Sequence, residues 1–436
     1  MKNMTNNTIY LDNAATTKVD SEVLEVMMPY FSEVYGNPGS MHSEGLSAGK
    51  ALDESRKNIS EILNCKADEV IFTGGGTESV NLAIKGVAWH YGMKLNKGKH
   101  IITQKTEHDA VLETCEYLER NGFEVTYLDV DRYGMVSLDD LKAAIREDTI
   151  LVSIMYVNNE IGTIQPIKEI AEICKEKKVL FHTDACQAAS SLNLDVKGLG
   201  VDLLTLNASK VYGPKGVGLL YKRMGVMLTP LIHGGGQEKK MRSGTENIPL
   251  IVGFAKALEI AEEIKVKENI RIGKLSNKLI NEILGTIPKA FLNGHPTKRI
   301  PSNVNITMLD VEGEAILLYL DHEGICASSG SACTSQTLDP SHVILATGLP
   351  YEAAHGSLRF SLGRGTTEEN IDKLLDVLPG IIERLRDISP VKLNPEDFKE
   401  YLTEENMKIS MEYMELKKEE RMKTTIALEI KNEVRK

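Results

Sequence analysis

Residues 179–210 read VLFHTDACQAASSLNLDVKGLGVDLLTLNASK: two apolar, β-rich runs, each ending in polar residues, with one helix-length stretch between them. The first run stops at Asp184. The second leads into Asn207, Ala208, Ser209 and Lys210. Runs of the same kind recur at 69–73, 101–103, 125–128 and 150–157, separated by helical stretches, so that strand and helix alternate from residue 60 to about 220. That rhythm predicts an α/β fold built on a large, mostly parallel sheet wrapped by helices. Such sheets bind ligands at the carboxyl ends of their strands, which makes the residues just past each run the ones to examine.

Working outward, a chain of 436 residues is longer than a single core of roughly 250–300 residues sustains, so two lobes are expected. The large sheet domain is assigned to 21–250. A smaller α+β domain is assigned to 251–389; it opens on a long helical stretch through Lys267 and holds strand candidates at 303–307 and 358–361. Residues 1–20 are expected to pack with the small domain. The charged, helix-prone extension 390–436 carries Met407, Met411 and Met414 at helical spacing, which reads either as a helix packed on its own domain or as a docking face for another protein. There is no internal repeat.

Fifty-one Lys and Arg against 62 Asp and Glu give a net charge of -11, which disfavours nucleic acid as a partner. No run of about 20 apolar residues exists, and the polar start lacks the apolar core of a signal peptide, so a soluble, cytoplasmic protein without a membrane partner is expected. Six scattered cysteines without a CxxC pair suggest reduced thiols, with neither a disulfide framework nor a structural metal.

Several strand ends carry chemistry. EVIFTGGGTES at 69–79 runs from a strand into glycines and then a helix near Gly76 and Thr77, where free backbone N–H groups suit a phosphate. A plain tight turn explains the glycines equally well, and the lysine of a nucleotide P-loop is missing. Asp184 and Lys210 end two strands 26 residues apart. Pyridoxal phosphate needs such a pair, an amine to condense with its aldehyde and an acid to keep its ring nitrogen protonated, although a helix cap and a solvated lysine would look the same. His108 in TQKTEH and Asn159 in YVNNEIG follow other strands and offer a ring to stack and an amide to a phenolic oxygen or a carboxylate; a surface histidine and a turn asparagine are their ordinary readings. Cys333 lies in SSGSACTS at 328–335, a run of small residues without apolar neighbours, which favours a reactive thiol over a packing one. Arg359 in SLRFSLGR at 357–364 suits a carboxylate, with a surface ion pair as the alternative.

In order and spacing these pieces resemble the NifS/IscS-type cysteine desulfurases, pyridoxal-phosphate enzymes of the class V aminotransferase family with fold type I. The likeness spans roughly residues 10–387 and includes YLDNAATT at 10–17, YGNPGSMH at 35–42, GGGTES at 74–79, TEH at 106–108, VNNEIG at 157–162, DACQ at 184–187, KVYGPKGVG at 210–218, and GGGQE with RSGTEN within 234–247. The resemblance implies that Lys210 carries pyridoxal 5'-phosphate, that Asp184 pairs with its ring nitrogen and His108 stacks on the ring, and that Gln187 and Asn159 approach the phenolic oxygen. It implies further that Gly76 and Thr77 hold the phosphate, with Thr245 arriving from a partner subunit of a homodimer, and that Arg359, with Asn159, binds the substrate. Cys333 would take sulfur from L-cysteine, leaving L-alanine, and pass it to a sulfur-acceptor or iron–sulfur scaffold protein, for iron–sulfur clusters or thiolation. One departure stands out: the family pattern SxHK before the lysine is here Asn207-Ala208-Ser209-Lys210, so Asn207 and Ser209 replace two groups that grip the phosphate. Selenocysteine lyase or another class V reaction, and a scaffold without catalysis, are the competing expectations.

Overall fold

A computed structural model describes residues 8–330 and 339–401. After a two-residue strand β1 (Ile9–Tyr10), the chain builds seven strands: β2 (Val70–Thr73), β3 (His100–Gln104), β4 (Glu124–Leu128), β5 (Thr149–Ser153), β6 (Leu180–Asp184), β7 (Leu203–Asn207) and β8 (Gly218–Lys222). Their order in one sheet is β2-β8-β7-β6-β5-β3-β4. All pair in parallel except β8, which is antiparallel to both β7 and β2. Strands β2, β3 and β5 are buried along their whole length, as expected of strands covered on both faces. One core packs each face of the sheet, with Phe72, Val152, Phe181 and Leu206 on one side and Ile71, Ile101, Leu151 and Leu220 on the other.

A second lobe follows: β9 (Ala290–Leu292), β10 (Asn303–Met308), β11 (Ile325–Cys326) and β12 (Ser357–Ser361). Strands β12-β10-β9 form an antiparallel sheet against the helix Glu368–Ile388. The helix Ile248–Thr286 joins the lobes. It starts at Asn247, whose side chain accepts from Leu250 N, and at about 1.5 Å per residue it spans about 58 Å. Its first half, with Phe254 and Leu258, sits in the large core, whereas Ile272, Leu279 and Ile283 sit in the small one. The chain start also belongs to the small core, because β1 pairs in parallel with β11 and Ile9 and Leu11 are buried there.

Several local expectations change. The run at 150–157 is a strand only to Ser153; Ile154 N and Tyr156 N then bond the carbonyls of His182 and Asp184 across a bend. The helix expected through Lys267 continues to Thr286, because its charged second half still turns one apolar stripe inward. Strand β8 was not anticipated. Of the extension, residues 390–401 hold a single 3-10 turn, Pro395–Phe398, started by Pro395 and the Asn394 cap, and Phe398 is buried in a small cluster with Phe291 and Leu309. Met407, Met411 and Met414 lie outside the described residues. No described helix is long and apolar enough to cross a membrane.

Candidate functional site

Because β8 reverses direction between β7 and β2, the carboxyl ends of β2, β3, β5, β6 and β7 all open on one edge of the sheet. Lys210, Asp184, Gln187, Gly76, Thr77, His108 and Asn159 stand beyond these ends. Past β7, residues 208–210 make a 3-10 turn capped by Asn207, whose side-chain oxygen accepts from Ser209 N. The turn aims Lys210 Nζ at two backbone carbonyls, Ala14 at 2.8 Å and Ala15 at 2.6 Å. Gln187 Nε2 donates to the same Ala14 oxygen at 2.9 Å, so the amine and the amide converge. Burial is the main influence on the amine and holds its pKa below the ordinary lysine range.

Past β6, Asp184 accepts from Cys186 N at 2.9 Å. Past β2, Gly75 takes a φ of 153°, a conformation open to glycine, and the helix Gly76–Val87 begins with no side-chain cap on its first N–H groups. A Cβ on Gly76 would stand 3.0 Å from Cys186 Sγ and 3.6 Å from Asn207 Nδ2, so this helix start abuts both the Asp184 segment and Asn207. Thr77 is exposed there. Gly218 of β8 also has to be small, because a Cβ would meet the Gly75 backbone at 2.6 Å.

Past β3, His108 caps the helix Asp109–Glu119, its Nδ1 accepting from Ala110 N at 3.0 Å, which leaves the ring proton on Nε2. Asn158 Nδ2 donates to Thr106 O at 2.8 Å and ties this segment to the one carrying Asn159. Between them Glu107 is wholly buried; its Oε1 accepts from Met155 N and Gln104, its Oε2 has no partner among the described residues, and burial lifts its pKa to about 8.

Arg359 is not a surface residue: it is only 2% exposed. Its Nη2 donates to Asp12 at 2.9 Å and its Nη1 to the Asn159 carbonyl at 3.1 Å, while its Nε is buried without a partner among the described residues. A buried guanidinium donor left without a partner among the described residues suits an anionic ligand. Two expected residues are not brought in. Thr245 is exposed in the loop before the long helix and makes no hydrogen bond among the described residues, and Cys333 lies outside them. The five described cysteines are all free, and burial raises every thiol, Cys65 and Cys174 to about 12 and Cys186 well above the ordinary thiol range, so none of the five is a ready thiolate.

Sequence reasoning assigned no role to residues 12–17, although YLDNAATT was among the motifs. Asp12, Ala14, Ala15 and Thr17 thread between the lobes, and Thr17 Oγ1 fastens the segment to Ser209 O at 3.0 Å. The donor set fits pyridoxal 5'-phosphate: a half-buried amine, an acid at the next strand end and an uncapped helix start stand at one sheet edge, joined by a guanidinium of β12 whose Nε has no partner among the described residues.

Fold and site together define a class V aminotransferase type of enzyme. Residues 9–374 match the aminotransferase class-V family, and the chain belongs to it. Cysteine desulfurase IscS of Methanosarcina thermophila is 53% identical over 394 residues, covering 90% of this chain and 96% of that protein. Among solved structures, a NifS-like protein superposes with a TM-score of 0.81 at 38% identity, covering 87% of this chain and 100% of that one. SspA in complex with cysteine gives 0.70 at 37% identity, covering 81% and 99%.

Proposed function

We propose that this chain is a pyridoxal-phosphate-dependent cysteine desulfurase. The observation that carries the reading is the convergence of Lys210 and Gln187 on one carbonyl, at the sheet edge that also holds Asp184 and the uncapped helix start. Kinship with cysteine desulfurases at 53% identity over nine-tenths of the chain supports the same reading. Lys210, Asp184, His108, Gln187 and Asn159 would hold the cofactor's ring, while Gly76, Thr77, Asn207 and Ser209 would hold its phosphate with Thr245 of a second copy. Once bound, the cofactor would supply an electron sink for the electron pair left on the substrate Cα when its proton is removed.

The chain's own residues do the rest. Arg359, braced by Asp12 and the Asn159 carbonyl, receives the carboxylate of L-cysteine. Lys210 Nζ takes the Cα proton, a task eased by the lowered pKa that burial gives it. Cys333 attacks the substrate sulfur as thiolate: the substrate C–S bond breaks, an S–S bond forms, and L-cysteine plus the Cys333 thiol become L-alanine plus a Cys333 persulfide. A sulfur-acceptor protein of iron–sulfur cluster assembly or thiolation then takes the outer sulfur. The setting is a cytoplasmic homodimer, where a reduced thiol persists; the exposed Phe31, Tyr35, Met41 and Leu46 supply apolar surface for a second copy.

The test is alanine and sulfide formation from L-cysteine, with and without added cofactor, beside Lys210→Ala and Cys333→Ser. Loss of alanine in both variants is expected. Wild-type protein that stays colourless and inactive with saturating cofactor would overturn the proposal.

A further inference from the structure

Strand β2 is an edge of the large sheet, and a pair of side chains occupies the place of a missing neighbour strand. Phe72 N donates to Glu238 Oε2 at 2.9 Å, and Val70 O accepts from Arg56 Nη1 at 2.7 Å. The two side chains also close on each other, Nη1 to Oε2 at 2.8 Å and Nη2 to Oε1 at 2.6 Å. Arg56 lies over the Phe72 ring, 4.9 Å from its centre. The Glu238 side chain is 2% exposed, so this bidentate pair is shielded from water and directional.

Glu238 belongs to a strained stretch. Glu238, Lys239 and Lys240 have φ of 44°, 55° and 67°, three successive non-glycine residues in the left-handed region. A chain holds such a stretch only where its surroundings over-determine it, and strain of this kind gathers at functional segments. Thr245 follows seven residues after Glu238. Between them Arg242 makes a second tether, its Nε donating to Glu78 Oε1 at 2.9 Å. Glu78 sits in the first turn of the helix that starts at Gly76, and its Oε2 also accepts from Gly74 N at 2.8 Å. The loop is therefore bolted to the strand and helix that carry this subunit's own phosphate turn, while Thr245 stays exposed.

We propose that Glu238, clamped by Arg56, is a positioning residue that acts on the neighbouring subunit's site: it sets the loop that presents Thr245 to the partner's cofactor phosphate. The proposal rests on the reading of Thr245 as a phosphate ligand across the dimer. It requires the effect of Glu238 to be felt in trans.

The test uses full-length chains. Glu238→Gln homodimers, stripped of cofactor and titrated with pyridoxal phosphate while the visible absorbance is read, should bind it about tenfold more weakly than wild type. Hybrid dimers of one Glu238→Gln chain and one Lys210→Ala chain contain one site with an intact lysine and an intact donated loop, and with cofactor held at the wild-type half-saturating concentration they should form alanine at about half the wild-type rate, against about a tenth if Glu238 acted in cis. A hybrid that forms alanine at about a tenth of the wild-type rate or less under these conditions, or an unchanged cofactor affinity, overturns the proposal. Arg56→Lys, which keeps the charge but loses the bidentate fork, should follow the same pattern and serves if Glu238→Gln does not fold. Thr245→Ala in the same hybrids separates the two ideas: a wild-type Thr245→Ala removes the cross-subunit reading and the proposal with it, whereas a Thr245 defect rescued in trans beside an unaltered Glu238→Gln overturns the proposal alone.

Discussion

Lys210 Nζ and Gln187 Nε2 donate to one acceptor, the carbonyl oxygen of Ala14, at 2.8 and 2.9 Å. The amine is thereby held at the sheet edge by backbone, with no carboxylate hydrogen-bonded to it among the described residues; burial outweighs the opposing pull of the Asp184 and Asp12 charges on its proton. Lys210→Ala should lower alanine formation by about 10²–10⁴-fold, the usual worth of a placed acid–base group. Lys210→Arg keeps a cationic donor for the Ala14 and Ala15 oxygens and should keep the wild-type Tm while remaining inactive. Alanine release at saturating cofactor, beside thermal melting, checks both.

Arg359→Lys removes the planar fork but leaves a positive charge opposite Asp12. kcat/KM for L-cysteine should fall about 10–100-fold, mostly through KM, as expected for loss of one charge-assisted hydrogen bond. Arg359→Ala strands the Asp12 carboxylate and should also cost about 2 kcal/mol of stability, below the range for fully buried pairs because Asp12 is partly exposed. Steady-state kinetics and urea denaturation separate the two effects.

Phe398 anchors residues 390–401 against Phe291, the ring centroids 6.4 Å apart. Phe398→Ala should destabilise the protein by about 3 kcal/mol. Deleting 402–436 leaves this anchor in place and should spare alanine formation, so any loss of sulfur transfer to an acceptor would then belong to the deleted residues. Denaturant curves and paired assays of alanine and transferred sulfur are the measurements.

His182 is buried between Ser153 Oγ at 2.8 Å and Thr205 Oγ1 at 3.0 Å, and burial lowers its pKa to about 4. Its folded form binds fewer protons than the unfolded chain, so its contribution is complete above about pH 6.5 and is lost as pH falls towards 4. Glu107 has the opposite sign: its pKa of about 8 is raised, so its contribution is complete below about 4.5 and is lost as pH rises through 8. Between about pH 4.5 and 6.5 the two slopes oppose. Glu107→Gln should therefore steepen the loss of stability on acidification in that window, and flatten the curve from pH 6.5 to 8. Urea midpoints across this range test the pair, and an unchanged profile in Glu107→Gln would sink the assignment.

The central strands were legible because each is a short β-branched or leucine-rich run ended by polar residues, as in Val70–Thr73 and Leu203–Asn207. Strand β8 was not, since GLLYK follows a glycine-rich turn and its pairing with β2 joins residues about 150 positions apart. The strand-end groups Asp184 and Lys210 could be found by position alone. The Asp12 to Arg359 pair and the Arg56 to Glu238 clamp could not, because their partners are 347 and 182 residues apart and no local pattern links them. Left-handed φ at Glu238, Lys239 and Lys240 is equally invisible in sequence, as it is imposed by tertiary contacts on residues that do not prefer it.

The segment that enters on β1 bonds the Arg359 guanidinium at Asp12 and the Lys210 amine at Ala14 and Ala15. One short stretch of covalent backbone, at most about 11 Å from Asp12 to Ala15, therefore acts as a caliper whose jaws belong to different lobes. With Arg359 as carboxylate anchor and Lys210 as proton acceptor, as proposed, the gap between them would be measured off in peptide units, gauging an α-amino acid at its backbone end and leaving only its side chain free to differ in length.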